Sequence, residues 1–144
     1  ILPKADLLTP NRPEAELLAD MKIDSEKDID VAARKLIDMG PKAVLIKGGH
    51  FGSASAAEFT DWLALPDEPL IALKQPGVKT SNNHGTGCTL SAAIATYLGL
   101  GLGIRDAIVH AQKFLNHCLR HGYAPGLGAG PPNHASWIAK RVGE

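Results

Sequence analysis

The hydrophobic pattern divides the chain into short runs and periodic stretches. Residues 5–8 form a brief apolar run that ends at Thr9-Pro10-Asn11, and they read as a strand feeding a loop. Residues 13–19 read as a helix, because Pro13 suits a first turn. Over residues 26–39, Ile29, Ala33, Leu36 and Ile37 recur at helical spacing, and Gly40-Pro41 stops the pattern. Ser25 and Asp28 fit the cap at its start. Residues 43–46 are continuously apolar between Lys42 and Lys47, as in a fully buried parallel strand. Helix, short turn and buried strand together predict an α/β fold with helices on the faces of a parallel sheet.

The remaining pattern is mixed. Residues 59–65 and 70–74 are weaker strand candidates separated by Pro66-Asp67-Glu68-Pro69, and they predict a hairpin-like edge. Leu90, Ala93, Ile94, Tyr97 and Leu98 make one apolar helical face. Ala107, Ile108, Ala111, Phe114, Leu115 and Cys118 make another, closed by Gly122. Residues 125–133 are rich in Gly and Pro and predict a loop. Residues 136–142 predict a last short helix, and no internal repeat is visible.

Composition narrows the function classes. A chain of 144 residues supports one domain with one core. Fifteen basic residues balance fifteen acidic ones, which leaves no electrostatic footprint for nucleic acid or an anionic membrane. The uncharged stretch over residues 90–104 contains Gly99, Gly101 and Gly103 and is too short to span a bilayer. Cys88 and Cys118 form no CxxC pair, a usage that fits the reducing cytoplasm. The chain opens on Ile1-Leu2-Pro3 without an initiator Met or a signal-peptide pattern, and it reads as a piece of something longer.

The chemistry concentrates at Asn82-Asn83-His84-Gly85-Thr86-Gly87-Cys88, immediately before an apolar-faced helix. A helix N-terminus presents unpaired N–H groups and partial positive charge. Gly85 and Gly87 lack a Cβ, so an anion can approach the backbone closely. The combination predicts an anion cradle, which suits a transferring phosphoryl group. Helix N-termini favour thiolates, and a thiolate at Cys88 can accept the proton of a substrate hydroxyl. A thiol there can instead hold the alcohol in line. The ordinary alternative is that Gly-x-Gly precedes many helices and Cys88 simply packs. No Lys-Ser or Lys-Thr follows Gly87, so this is not a P-loop, and Leu90 stands where a dinucleotide fingerprint needs its third glycine.

Residues 84–94, HGTGCTLSAAI, resemble the signature of hydroxymethylpyrimidine and phosphomethylpyrimidine kinases, within the ribokinase-like superfamily. The resemblance extends to Leu8-Thr9-Pro10-Asn11 followed by Glu14, to Val44-Leu45-Ile46-Lys47-Gly48-Gly49-His50, and to Gly128, Gly130 and Pro131. These segments follow the family's order along essentially the whole chain. The resemblance implies a three-layer α/β/α sandwich of which residues 1–144 are the C-terminal half. It implies transfer of the ATP γ-phosphoryl group to a pyrimidine alcohol and then to its monophosphate, for thiamine synthesis. Gly85, Thr86 and Gly87 would form the anion hole, with Cys88 at the catalytic position. A homo-oligomer of the full-length enzyme is also implied.

By the same resemblance, Asn11-Arg12-Pro13-Glu14 has the family's N-x-x-E form, in which the Glu orders water on Mg²⁺ beside the ATP phosphates. Asn11 with Glu14 is equally a capping box, and both roles are compatible. Lys47 follows the buried strand, where ligands of open parallel sheets bind, and the resemblance assigns it to nucleotide phosphates. Gly48 and Gly49 would permit the close turn there, and a solvated Lys47 is the plainer alternative. His84 reads as a loop-orienting residue and Cys118 as core. His50, His110, His117, His121 and His134 show no metal-ligand spacing and read as surface histidines. Pyridoxal kinases with a similar Cys-containing loop are the rival reading, and a non-catalytic half-domain that pairs through an exposed sheet edge is another.

Overall fold

A computed structural model describes residues 2–48 and 58–142. It divides into two compact units, Ile1–Gln75 and Pro76–Glu144. The first unit begins with a 3-10 turn, Leu2–Lys4, followed by α1 (Arg12–Ala19), α2 (Glu26–Asp38), β1 (Val44–Ile46), β2 (Glu58–Ala64) and β3 (Ile71–Pro76).

Both helices of this unit start where the sequence places an N-cap. At α1, the Glu14 amide donates to Asn11 Oδ1 at 2.9 Å and the Asn11 amide donates to Glu14 Oε2 at 2.7 Å. At α2, Ser25 and Asp28 make the same reciprocal pair. The helices bury Ala15, Ala19, Ile29, Ala32, Ala33 and Leu36 against Val44 and Ile46 of β1 and Ala64 of β2. Four of these are alanines, so the helical backbones approach closely. Arg34 ties α2 to the turn after β2, donating to the carbonyls of Leu65 (2.8 Å) and Glu68 (2.6 Å).

The sheet order is β1-β2-β3, and the expected hairpin-like edge over residues 59–65 and 70–74 is present as neighbouring strands. Two expectations need correction. The buried strand at residues 43–46 pairs with β2 in antiparallel fashion, with Val44 opposite Ala64 and Ile46 opposite Trp62. Residues 47–57 are the whole link between these strands, and a parallel crossover with its helix needs more chain. The parallel neighbour of β1 is instead the segment around residues 8–11, so the pairing is mixed.

That segment is the second correction, because residues 5–8 form no continuous strand. Leu8 and Asn11 make isolated parallel bridges to Val44 and Lys47. The Leu8 amide donates to Ala43 O, the Leu45 amide to Leu8 O and the Lys47 amide to Pro10 O, at 2.8–3.0 Å. The next rung would need an N–H on Pro10, which proline lacks.

The second unit contains α3 (Thr86–Gly99), α4 (Ile104–Arg120) and α5 (Ala135–Val142). The predicted apolar faces of α3 and α4 meet, burying Leu90, Ala93 and Ile94 on one side and Ala107, Ile108 and Ala111 on the other. Gly101, with φ 91°, turns the chain between them. Trp137 of α5 packs edge-on against Phe114 of α4, with ring centroids 5.6 Å apart. Residues 125–133 form no helix or strand, as their Gly and Pro content predicts.

Candidate functional site

The candidate residues fall into one group in each unit. In the first unit, Asn11, Glu14, Lys47 and Gly48 gather at the carboxyl end of β1. The parallel bridge between Asn11 and Lys47 brings the N-terminus of α1 beside the residue that leaves the strand. Open α/β sheets bind ligands at this end of their strands. Glu14 is exposed, and its cap uses Oε2. Among the described residues, nothing bonds to Oε1 and the Lys47 ammonium makes no ion pair.

Gly48 is a glycine for a steric reason. A Cβ there would stand 1.6 Å from the carbonyl oxygen of Thr60. The Gly48 amide donates to Asp61 Oδ1 at 2.9 Å, so β2 fixes the backbone just beyond Lys47. A cavity of about 360 Å³ opens beside Gly48, lined by residues that include Ser25, Ile29, Thr60 and Trp62. Gly49, expected to share the turn, and His50 lie outside the described residues.

In the second unit, the predicted loop-to-helix transition is present. Gly85 is the N-cap of α3 with φ 82°, a left-handed conformation that glycine adopts without strain. No side chain caps this helix start. Thr86, Gly87 and Cys88 are its first three residues, and the first intrahelical bond is donated by the Thr89 amide to Gly85 O at 2.9 Å. The amides of Gly87 and Cys88 have no protein acceptor among the described residues. Unpaired N–H groups at a helix start are ready donors for an anion. The Cys88 side chain is exposed.

The His84 amide donates to Gly130 O at 3.2 Å, a backbone bond that ties the loop to residue 130. Cys118 is core, and burial pushes its thiol up to about 11. His117 departs from the surface reading. It is partly buried, its ring centroid lies 4.2 Å from that of His121 and 5.2 Å from that of Trp137, and its buried Nε2 has no partner among the described residues. Among the described residues, no three His, Cys, Asp or Glu side chains converge as a metal site. No described helix is long and apolar enough to cross a membrane.

Two supports of these groups have weak sequence signals. Asp61 holds Gly48, and Asn82 Oδ1 accepts a 3.0 Å hydrogen bond from the Gly130 amide. Asn in a loop signals bonding to backbone, but its partner lies 48 residues away.

The sequence profile described as phosphomethylpyrimidine kinase matches residues 1–133. The chain belongs to the phosphomethylpyrimidine kinase family. A hydroxymethylpyrimidine/phosphomethylpyrimidine kinase of Synechococcus elongatus is 46% identical over 136 residues, covering 93% of this chain and 50% of that relative. Among solved structures, pyridoxal kinase from Staphylococcus aureus in complex with ADP is similar, with a TM-score of 0.87 and 31% identity, over 95% of this chain and 50% of that one. Phosphomethylpyrimidine kinase from Clostridium difficile is similar with a TM-score of 0.62 and 33% identity, over 79% of this chain and 43% of that one. The fold is thus ribokinase-like α/β, as the motifs of this kinase family imply. The chain spans about half the length of the curated relatives it matches.

Proposed function

We propose that residues 1–144 are the C-terminal half of a ribokinase-like kinase domain. The parent protein would transfer the ATP γ-phosphoryl group to 4-amino-5-hydroxymethyl-2-methylpyrimidine, then to its monophosphate, supplying thiamine diphosphate synthesis. The observation that carries this reading is the start of α3. Its glycine N-cap and uncapped first turn, in a chain of this family, suit an anion hole.

In this reading the amides of Gly87 and Cys88 bind the equatorial oxygens of the transferred group, and Thr86 adds a hydroxyl. Cys88 receives the proton of the substrate hydroxymethyl group, or holds that hydroxyl in line. Lys47 meets nucleotide phosphate charge, with Gly48 and Gly49 shaping the turn. Mg²⁺ would neutralise phosphate charge when bound. Glu14 fits such an ion through water, because its cap leaves one carboxylate oxygen available beside Asn11. An exposed free Cys88 suits the reducing cytoplasm, where we place the enzyme, as a homo-oligomer at full length.

A second reading is pyridoxal kinase, favoured by the similarity to the Staphylococcus aureus enzyme. Comparing kcat/KM of the full-length protein for hydroxymethylpyrimidine and for pyridoxal, with MgATP, separates the two. We expect the pyrimidine to be preferred. A higher value for pyridoxal would reverse the assignment, and no transfer to either would leave a binding module.

A further inference from the structure

The loop before α3 has little of its own to hold it in one shape. Two glycines flank Thr86, and no side chain caps the helix. An anion hole works by holding its donors where charge develops, without reorganisation at each turnover. A backbone that visits many conformations cannot do this alone.

Residues 130–134 supply the missing constraint at three points. The Gly130 amide donates to Asn82 Oδ1 at 3.0 Å. Gly130 O accepts from the His84 amide at 3.2 Å, so the backbone N–H and C=O of one residue clamp residues on the approach to Gly85. On the far side of the loop, Thr89 Oγ1 lies 2.9 Å from His134 Nε2. The brace is itself anchored. The Asn133 amide donates to Cys118 O of α4 at 2.9 Å, and the His134 ring stacks on Phe114 at 6.2 Å. The Asn82 amide donates to Thr80 Oγ1 at 3.0 Å, which fixes the other partner.

The fit at Gly130 is close. A Cβ there would stand 2.2 Å from Tyr123 O and 2.6 Å from Asn82 Oδ1. Its φ is not left-handed, so space rather than backbone conformation requires the glycine.

We infer that residues 130–134 form a brace that sets the position of the Gly85-Thr86-Gly87-Cys88 donors, making Asn82, Gly130 and His134 positioning residues for phosphoryl transfer. This rests on the anion-hole reading of the loop. The brace spans the loop from Asn82 to Thr89. Loosening either end therefore displaces the donors without removing any group that touches nucleotide. The signature is a fall in kcat with little change in KM.

The test uses the full-length enzyme with Thr89→Val, Thr89→Ser and Gly130→Ala, and Thr96→Val as control. Thr96 lies on the same helix, and its hydroxyl donates to Ala92 O in its own turn at 2.9 Å. Three readouts are taken: kcat, KM for ATP and for the pyrimidine, and amide hydrogen exchange over residues 82–88. Thr89→Val removes one hydrogen bond at nearly constant volume and should lower kcat by about tenfold, with both KM values within about twofold. Thr89→Ser keeps the hydroxyl and should return kcat to within about twofold of wild type. Gly130→Ala should lower kcat by about a hundredfold, the scale of an ångström-sized misplacement. Exchange over residues 82–88 should be faster in Thr89→Val and Gly130→Ala and unchanged in Thr96→Val.

The inference is overturned if Thr89→Val keeps wild-type kcat, or if Thr89→Ser is as impaired as Thr89→Val. Should Gly130→Ala fail to fold, the valine and serine pair decides the matter alone. If the wild-type protein transfers no phosphoryl group, the kinase reading falls separately. The brace is then judged by exchange: acceleration in Thr89→Val supports it and unchanged protection overturns it.

Discussion

Asn11 and Glu14 show how one pair of side chains can carry a local and a chemical task. Their capping box accounts for both residues structurally, and a metal-linked role adds a demand on the carboxylate alone. The two tasks separate by mutation. Asn11→Ala should cost about 1 kcal/mol of stability, the usual value of an N-cap. Glu14→Gln in the full-length enzyme keeps an acceptor for the cap but loses the charge. It should raise the Mg²⁺ concentration needed for half-maximal activity while leaving the melting temperature nearly unchanged. An unaltered metal titration would assign Glu14 to capping only. Gly48 was legible as a glycine near a strand end, but its reason was not. The close approach to Thr60 O depends on the register of β2, which a local pattern does not carry. Gly48→Ala should destabilise the first unit by about 1–3 kcal/mol or more, measurable as a lower urea midpoint.

Glu16 offers a pH test at the same scale. Its carboxyl is held below the usual range first by the hydrogen bond from Lys22, and then by the Ile23 amide. A depressed folded-state value stabilises the protein above the unfolded value of 4.5, and that contribution is lost as pH falls through the folded value. Glu16→Gln should therefore flatten the decline of the urea midpoint as pH falls below the unfolded value. An acid limb as steep as wild type would remove Glu16 from the acid response.

Among the elements, the helices were the most legible. Their caps and 3.6-residue periodicity are local, and α1 to α4 start within a few residues of the predicted positions. The loop-to-helix transition at Gly85 was legible for the same reason. Strand direction was not, because antiparallel pairing of β1 with β2 is a property of two distant segments. The apolar run at residues 5–8 makes one parallel bridge, at Leu8, and Pro10 supplies no N–H for the rung between that bridge and the one at Asn11. Likewise, Asn82 was visible as a loop residue but its bond to Gly130 was not. The core of the first unit is tested by Leu36→Ala. Leu36 is fully buried on α2, so its truncation should cost about 2–5 kcal/mol in urea denaturation. A smaller loss would mean that α2 packs on the sheet less tightly than its burial shows.

For the whole molecule, family membership and fold follow from the profile match and the solved structures. The reaction is proposed, because the chain spans about half of its relatives. If residues 1–144 are half of a kinase domain, as proposed, they lack part of the substrate pocket and should alone show no turnover of hydroxymethylpyrimidine with MgATP. Appreciable turnover by this fragment would contradict its assignment as a half-domain. The central claim is that phosphoryl transfer occurs at the start of α3. Its most direct test is the rate of transfer from MgATP to hydroxymethylpyrimidine by full-length wild type and Cys88→Ala, with nucleotide affinity measured beside it. Cys88→Ala should lose at least about a hundredfold in kcat, the low end for general acid–base groups, with ATP affinity largely intact. A Cys88→Ala enzyme with wild-type kcat would contradict it.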